Sequence, residues 1–281
     1  MASGARADER TDSKLASTPT AAAARAADEP ALPDGSISCG SANRGALYNG
    51  ARMPDRGFGW VTPQTWSKRG VRYGTDELVG AIQRAARTVA AQYPGSLLGV
   101  ADLAKEHGGA AAGHRSHQSG RDADLLYYAL DEHGAYFAPD NVMPVYTRHG
   151  KAYYSRAPTW QKRIPVRYFD LARNWALVRA LLTDDVATVQ AIFVSRRIKV
   201  WLIDYAKKTG ESPELIHLAR HTLAVPRHVQ AHDDHMHVRV ECGADDHKAG
   251  RCRNDQAPSR GKGRKWRWHM RCPWTPRRPG A

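Results

Sequence analysis

Two short clusters of metal-binding residue types lie more than a hundred residues apart in this chain, and any fold it adopts has to bring them together. The first is GHRSHQSGRDADLLYY at 113–128, which holds His114, His117, Asp122 and Asp124 between glycines. The second is HDDHMHVRV at 232–240, with His232, His235 and His237. A lone histidine on a strand is more often a hydrogen-bonding structural residue than a ligand. Five histidines gathered with an aspartate in two short motifs argue against that reading here.

Periodicity says which of these side chains can share an ion. Residues 121–128 read as a strand with Asp122, Asp124, Leu126 and Tyr128 on one side and Ala123, Leu125 and Tyr127 on the other. His117 lies just before Gly120, in a loop from which its ring can fold back over the start of the sheet. Residues 235–240 alternate, placing His235 and His237 on one face and Met236, Val238 and Val240 on the other. Same-face neighbours stand about 6.5–7 Å apart at the backbone, which suits one ligand and one group beside it. Zinc in a catalytic site takes three nitrogen or oxygen ligands and keeps a fourth position for water, and His117, Asp124 and His237 would be that set. Such an ion acidifies its water and polarises a carbonyl. His235 is then placed to move protons, with Asp233 and Asp234 orienting ring nitrogens. His114 and His232 read as supporting catalytic positions that orient a ligand or hold substrate, and His114 could touch metal itself. Ser116 and Ser119 lack a nucleophile-elbow context, so serine catalysis fits poorly.

The spacing His117, six residues, Asp124, then His235-Met236-His237 resembles the signature of the LAS metallopeptidases. The longer strings GHRSHQSGRDADL and HDDHMHVRVEC resemble a narrower group, the penicillin-insensitive murein endopeptidases, as do YGTDELVGAIQRAARTV, GVADLAKEHGG and parts of 169–195. The likeness covers roughly 47–252. It implies an LAS-type fold, zinc at His117, Asp124 and His237, His235 as the catalytic histidine, and functional roles for His114 and His232. It also implies hydrolysis of the D-alanyl-meso-diaminopimelyl crosslink of peptidoglycan in the periplasm or cell envelope. Some members carry a proposed second metal site; no residue-by-residue match exists here, and His149 is a vague candidate.

The rest of the chain is organised around these motifs. Its 281 residues, 42% hydrophobic, suffice for a real core, and one domain at 34–258 with two tails is the expected layout. Residues 1–33 read as a disordered leader or linker with no hydrophobic signal region; a clipped signal or a misassigned start would reconcile that with envelope work. No stretch is long enough to span a membrane. Residues 34–74 suggest loops and short strands. Thr75 predicts the cap of a helix to about 93, and 97–101 a buried strand. Residues 131–168 read as loops, whose Tyr136, Phe137, Tyr146, Tyr153, Tyr154 and Trp160 either wall a peptide groove or pack. Helices are expected at 170–182 and 196–208, a strand at 189–194 and a short helix from Ser212-Pro213.

Of four cysteines, Cys242 and Cys252 flank a short polar loop, which favours a local disulfide if the protein matures in an oxidising compartment; the family often has cysteines at these two places, and three pairings or free thiols stay open. Close-pair zinc binding by cysteine is excluded by their spacing. The chain carries 42 Lys and Arg against 28 Asp and Glu, a net +14. Eight of the basic residues and no acidic one fall in 259–281, interleaved with Trp266, Trp268 and Trp274. That tail could hold an envelope polyanion, nucleic acid less so, or be plainly solvated. The expectation is an α+β domain with an antiparallel sheet core flanked by helices and a zinc peptidase site. The alternatives are a D,D- or L,D-carboxypeptidase or dipeptidase on peptidoglycan stems, and a non-catalytic zinc-stabilised wall-binding module.

Overall fold

The computed structural model describes residues 35–153, 165–226, 232–254 and 272. The leader, most of the basic tail, Tyr154 and Trp160 fall outside these residues. Four helices cover the core. The first, α1 (Asp76–Gln92), starts where the side chain of Thr75 accepts the Leu78 N–H at 3.3 Å, with Asp76 and Glu77 at its positive end. Its buried stripe includes Leu78, Ile82, Ala86 and Val89. Asp170 caps α2 (Leu171–Leu182), Ser195 caps α3 (Arg196–Lys208) and Ser212 caps α4 (Pro213–Thr222), which has proline in its first turn. Helix α1 packs on α2, and α2 on α3 and α4.

The central sheet has four strands, β1 (Asp122–Leu126), β2 (Val189–Phe193), β3 (Leu223–Ala224) and β4 (His235–Val240), in the order β3-β2-β4-β1. Pairs β2–β4 and β4–β1 are antiparallel, as expected, but β2 and β3 run parallel. The reason is the connection: α3 and α4 lie between β2 and β3, and a crossover of that length lets the chain return in the same direction. A bulge at Gln190 shifts the β2–β4 register between Val189 and Ala191. On one face of the sheet, Ala123, Leu125, Met236 and Val238 are fully buried in the core with Leu78, Ile82 and Leu177. That burial frees the opposite face for chemistry.

Two expectations need amending. The buried strand at 97–101 is only Leu98–Gly99, paired parallel with Trp60–Val61, although Val100 bridges to Leu125 and Ala101 N–H donates to Asp124 O at 2.9 Å. Residues 131–168 are more than loop. Tyr136–Phe137 and Tyr168–Phe169 both pair with Ala129–Leu130, and Val145–Tyr146 pairs with Ala152–Tyr153. Their aromatics mostly pack. Tyr146 is buried against Tyr127 and Phe169, and the Tyr136 hydroxyl bonds to the backbone of Leu97, while Tyr153 is 46% exposed.

Covalent and polar ties close the structure. Cys242 is joined to Cys252, the expected local pair, and Cys39 to Cys272. The fully buried Arg121 donates to the carbonyls of Val240 at 3.0 Å and Arg253 at 2.8 Å, tying the last described segment to the site strands. Gly120 has a positive φ of 76°, a conformation that side chains with a Cβ rarely adopt, and a Cβ there would press on Leu47, so glycine suits the turn into β1.

Arg84 on α1 reaches Asp184, beyond α2, through two bonds of 2.7 and 2.8 Å. Burial alone would raise the Asp184 carboxyl; Arg84 and the N–H groups of Ala187 and Val186 outweigh it and hold the pKa below the usual value. A carboxyl held below its unfolded pKa stabilises the fold above about pH 4 and loses that contribution as acid titrates it. Asp184→Asn should therefore lower unfolding stability by about 1–3 kcal/mol at neutral pH. In urea titrations the gap to wild type should be flat from pH 6 to 8 and shrink toward pH 3; a gap that grows on acidification would contradict this.

Candidate metal centre

The six residues singled out from sequence meet at one end of the β1–β4 pair. In the register, His237 stands opposite Asp124, His235 opposite Leu126 and Arg239 opposite Asp122, so Asp122, Asp124, His235 and His237 share a face. His117 comes from the preceding loop. Its backbone is left-handed, with φ of 65°, a conformation uncommon for a side chain with a Cβ and found where function holds the backbone in place. It is completely buried.

Each ring is oriented by an outer partner. The Nδ1 of His117 lies 2.8 Å from the carbonyl oxygen of Leu103, which can only accept, so Nδ1 carries the hydrogen and Nε2 presents its lone pair. That Nε2 is buried, has no hydrogen-bond partner among the described residues, and lies 3.3 Å from Asp124 Oδ1. The Nε2 of His237 meets Asp122 Oδ1 at 2.7 Å, leaving Nδ1 facing Asp124 Oδ1 at 3.2 Å. The Nδ1 of His235 meets Asp234 Oδ1 at 2.7 Å, leaving Nε2 3.4 Å from the same Asp124 oxygen. On the far side, His114 Nε2 meets Asp102 Oδ2 at 2.9 Å while its Nδ1 lies 3.6 Å from Asp124 Oδ2. His232, also left-handed at φ 53°, places its ring 4.9 Å from His235 and 5.6 Å from His237. Its carbonyl accepts from the Tyr127 hydroxyl and the Ser195 N–H.

Three imidazole nitrogens thus converge within 3.4 Å of one buried carboxylate oxygen that has no hydrogen bond among the described residues. Lone pairs brought together in this way need protons or a cation between them. The pKa directions agree. Burial would raise the Asp124 carboxyl, but His117 and His235 hold it well below the ordinary range. Burial also opposes a charged His235 ring, yet Asp124 and Asp234 outweigh it and lift its pKa to about 10. His237 is raised by Asp122 and Asp124 against the same burial. Asp122, buried, is pulled far down by Arg239 and then His237. A metal ion does the same electrostatic work as these protons and displaces them on binding. The ligand atoms of His114, His117 and Asp124, and those of His232, His235 and His237, each lie within 4.8 Å of one another. This donor set of imidazole and carboxylate fits a divalent metal ion with no thiolate involved.

Sequence patterning missed two of the outer partners. Asp122 was grouped with Asp124 on the same strand face, but its bond to His237 and its anchoring by Arg239 at 2.7 Å follow from the strand register, which no local pattern contains. Asp102, 2% exposed and held by Arg69 at 2.8 Å, had no signal at all, because it reaches His114 from a separate segment. Asp234 orients a ring nitrogen as expected, whereas Asp233 turns away, pairing with Arg197 at 3.4 Å and offering its carbonyl to Tyr146. His149 is exposed, accepts from Arg148, and takes no part in the cluster.

Comparison with known proteins agrees with the geometry. The profile of the peptidase family described as penicillin-insensitive murein endopeptidase matches residues 38–278. The chain belongs to that family. A penicillin-insensitive murein endopeptidase from Haemophilus influenzae is 30% identical over 230 residues, spanning 80% of this chain and 69% of the relative. The family match continues past Cys252, where the motif likeness ends, through the basic segment to residue 278. Among the described residues no helix is long and apolar enough to cross a membrane.

The bond from His237 to Asp122 would set how strongly the ring holds a metal ion at this centre. Asp122→Asn should weaken zinc affinity about 10- to 100-fold, read by competition with a chromophoric chelator. Unchanged affinity would show that Asp122 serves the fold alone.

Proposed function

We propose that this chain is a zinc metallo-endopeptidase that hydrolyses the D-alanyl-meso-diaminopimelyl crosslink of peptidoglycan in the cell envelope, on an LAS-type fold. The observation that carries the reading is the convergence of His117, His235 and His237 on Asp124, in a chain that belongs to a murein endopeptidase family. His117 through Nε2, Asp124 through a carboxylate oxygen and His237 through Nδ1 are the proposed ligands. Zinc held there supplies Lewis acidity, lowering the pKa of a water toward about 7 and polarising the scissile carbonyl.

The chain's own residues do the rest. Asp234 fixes His235 with Nδ1 protonated, so Nε2 faces the reaction centre. Asp124 and Asp234 favour the doubly protonated ring, whose Nε2–H donates a hydrogen bond to the developing oxyanion or its proton to the departing amide nitrogen. Asp122, locked by Arg239, keeps the His237 ring in one orientation. His114, braced by Asp102 and Arg69, borders the other side of Asp124, and His232 borders His235; both are placed to hold substrate. Ser119 of the first motif is fully buried and cannot meet a substrate. A pathway without a serine acyl-enzyme offers a β-lactam no nucleophile to trap, which is a physical basis for insensitivity to penicillin.

Purified crosslinked muropeptide dimers read by mass spectrometry test the reading. Conversion to monomers is expected with zinc-loaded protein, with or without benzylpenicillin. It should be absent after chelation and in Asp124→Ala. Release of single residues from uncrosslinked stems, with dimers left intact, would point to a carboxypeptidase. Intact substrates throughout, with zinc bound, would leave a binding module.

His235→Ala separates chemistry from metal binding. It should retain one zinc equivalent and lose about 10²- to 10⁴-fold in kcat on muropeptide dimers. Full activity in this variant would remove His235 from the mechanism.

A further inference from the structure

A groove of about 510 Å3 runs along the outer face of α3 toward the segment after α4. Its floor is apolar: Ile203 is buried, while Val200 is 51% and Val225 37% exposed. Arg196, Lys207 and Arg220 line it as exposed cations. One carboxylate, Asp204, offsets them, and it faces Lys207 at 3.5 Å. Lys199 also lines the groove but is spent on structure, donating to the carbonyls of Arg220 and Leu223 at the end of α4. An apolar floor under unbalanced cations suits a ligand that alternates small apolar groups with carboxylates.

Two further observations point the same way. Helix α3 opens with Arg196 and Arg197 and has no acidic residue in its first turn. Cations at the positive end of a helix break a local rule, and such breaches are expected where function demands them. The first residue of the groove also adjoins the backbone that leads to the second motif. The Ser195 N–H donates to the His232 carbonyl and the Val194 N–H to Ala224, both at 3.0 Å, so Arg196 is one residue from the backbone that carries the second motif.

We infer that this groove is a secondary binding site for the acidic, alanine-rich stem peptides of a murein strand, holding an uncleaved stem while the metal centre engages the crosslink. The inference rests on the murein reading above for the identity of the strand. Alanine methyls would lie on Val200, Ile203 and Val225, with stem carboxylates at Arg196, Lys207 and Arg220. Binding there raises the local concentration of crosslinks at the metal centre without touching the reacting atoms.

The test uses the double variant Arg196→Glu/Arg220→Gln. Both positions are exposed, and glutamate suits the first turn of a helix, so thermal unfolding should match wild type. In an Asp124→Ala background, which separates binding from cutting, co-sedimentation with purified sacculi should weaken roughly fivefold at low salt. With Asp124 intact, the double variant should release soluble fragments from sacculi more slowly, while kcat/KM on soluble muropeptide dimers stays at the wild-type value. Unchanged sedimentation would overturn the inference, as would an equal loss on dimers and sacculi, because the groove would then be part of the active site. Failure of the wild type to cut dimers would count against the proposed reaction, and the sedimentation comparison would still decide the groove.

Discussion

Asp124 and His237 face one another because β1 and β4 pair in one register, and the register is set mainly by residues on the other side of the sheet. Ala123, Leu125, Met236 and Val238 are buried without remainder against α1. Side chains alternate along a strand, so a slip of one residue would drive His235 and His237 into the core and turn Met236 and Val238 toward the site. The apolar face therefore aligns the polar one. The Asp122–Arg239 ion pair on the next rung reinforces the same alignment from within the site. The left-handed His117 is then delivered by a loop whose turn into β1 depends on Gly120.

Burying so many ionisable groups is tolerable only because each is answered. Asp122 has Arg239 and His237, Asp234 has His235, and Asp102 has Arg69 and His114. The acceptors differ in strength. His117 leans on a neutral backbone carbonyl, whereas His237 and His235 lean on carboxylates that make the rings more basic. Among the buried side-chain atoms without a hydrogen bond to the described residues are Asp124 Oδ1 and His117 Nε2, which lie 3.3 Å apart.

Much of this was legible before folding. Helix starts at Thr75, Ser195 and Ser212 are local events, since each cap bonds a backbone N–H three residues away. The strand faces at 122–126 and 235–240 follow from alternation alone, which sets Asp122 with Asp124 and His235 with His237; His114, His117 and His232 are grouped with them by the clustering of the two motifs. What could not be read is what register and long connections decide. The parallel pairing of β2 with β3 depends on how two helices pack between them. Asp102 and Leu103 reach the site from just beyond the expected strand at 97–101, where nothing local marks them. The short ladders in 129–169 are made of two-residue strands, too brief for any periodicity to mark.

The bond between Cys39 and Cys272 joins positions 233 residues apart. Chain synthesis is directional, so the first described strand, Ile37–Ser41, is made long before its covalent partner exists. The early strand can pair with Arg44–Tyr48 as soon as both are made, yet it stays covalently open until residue 272 follows. The Cys242–Cys252 loop, by contrast, can close within a few residues of its own synthesis. Formation of the bridges is thereby ordered in time: the one beside the second motif can form first, and the long one only after residue 272 has been made.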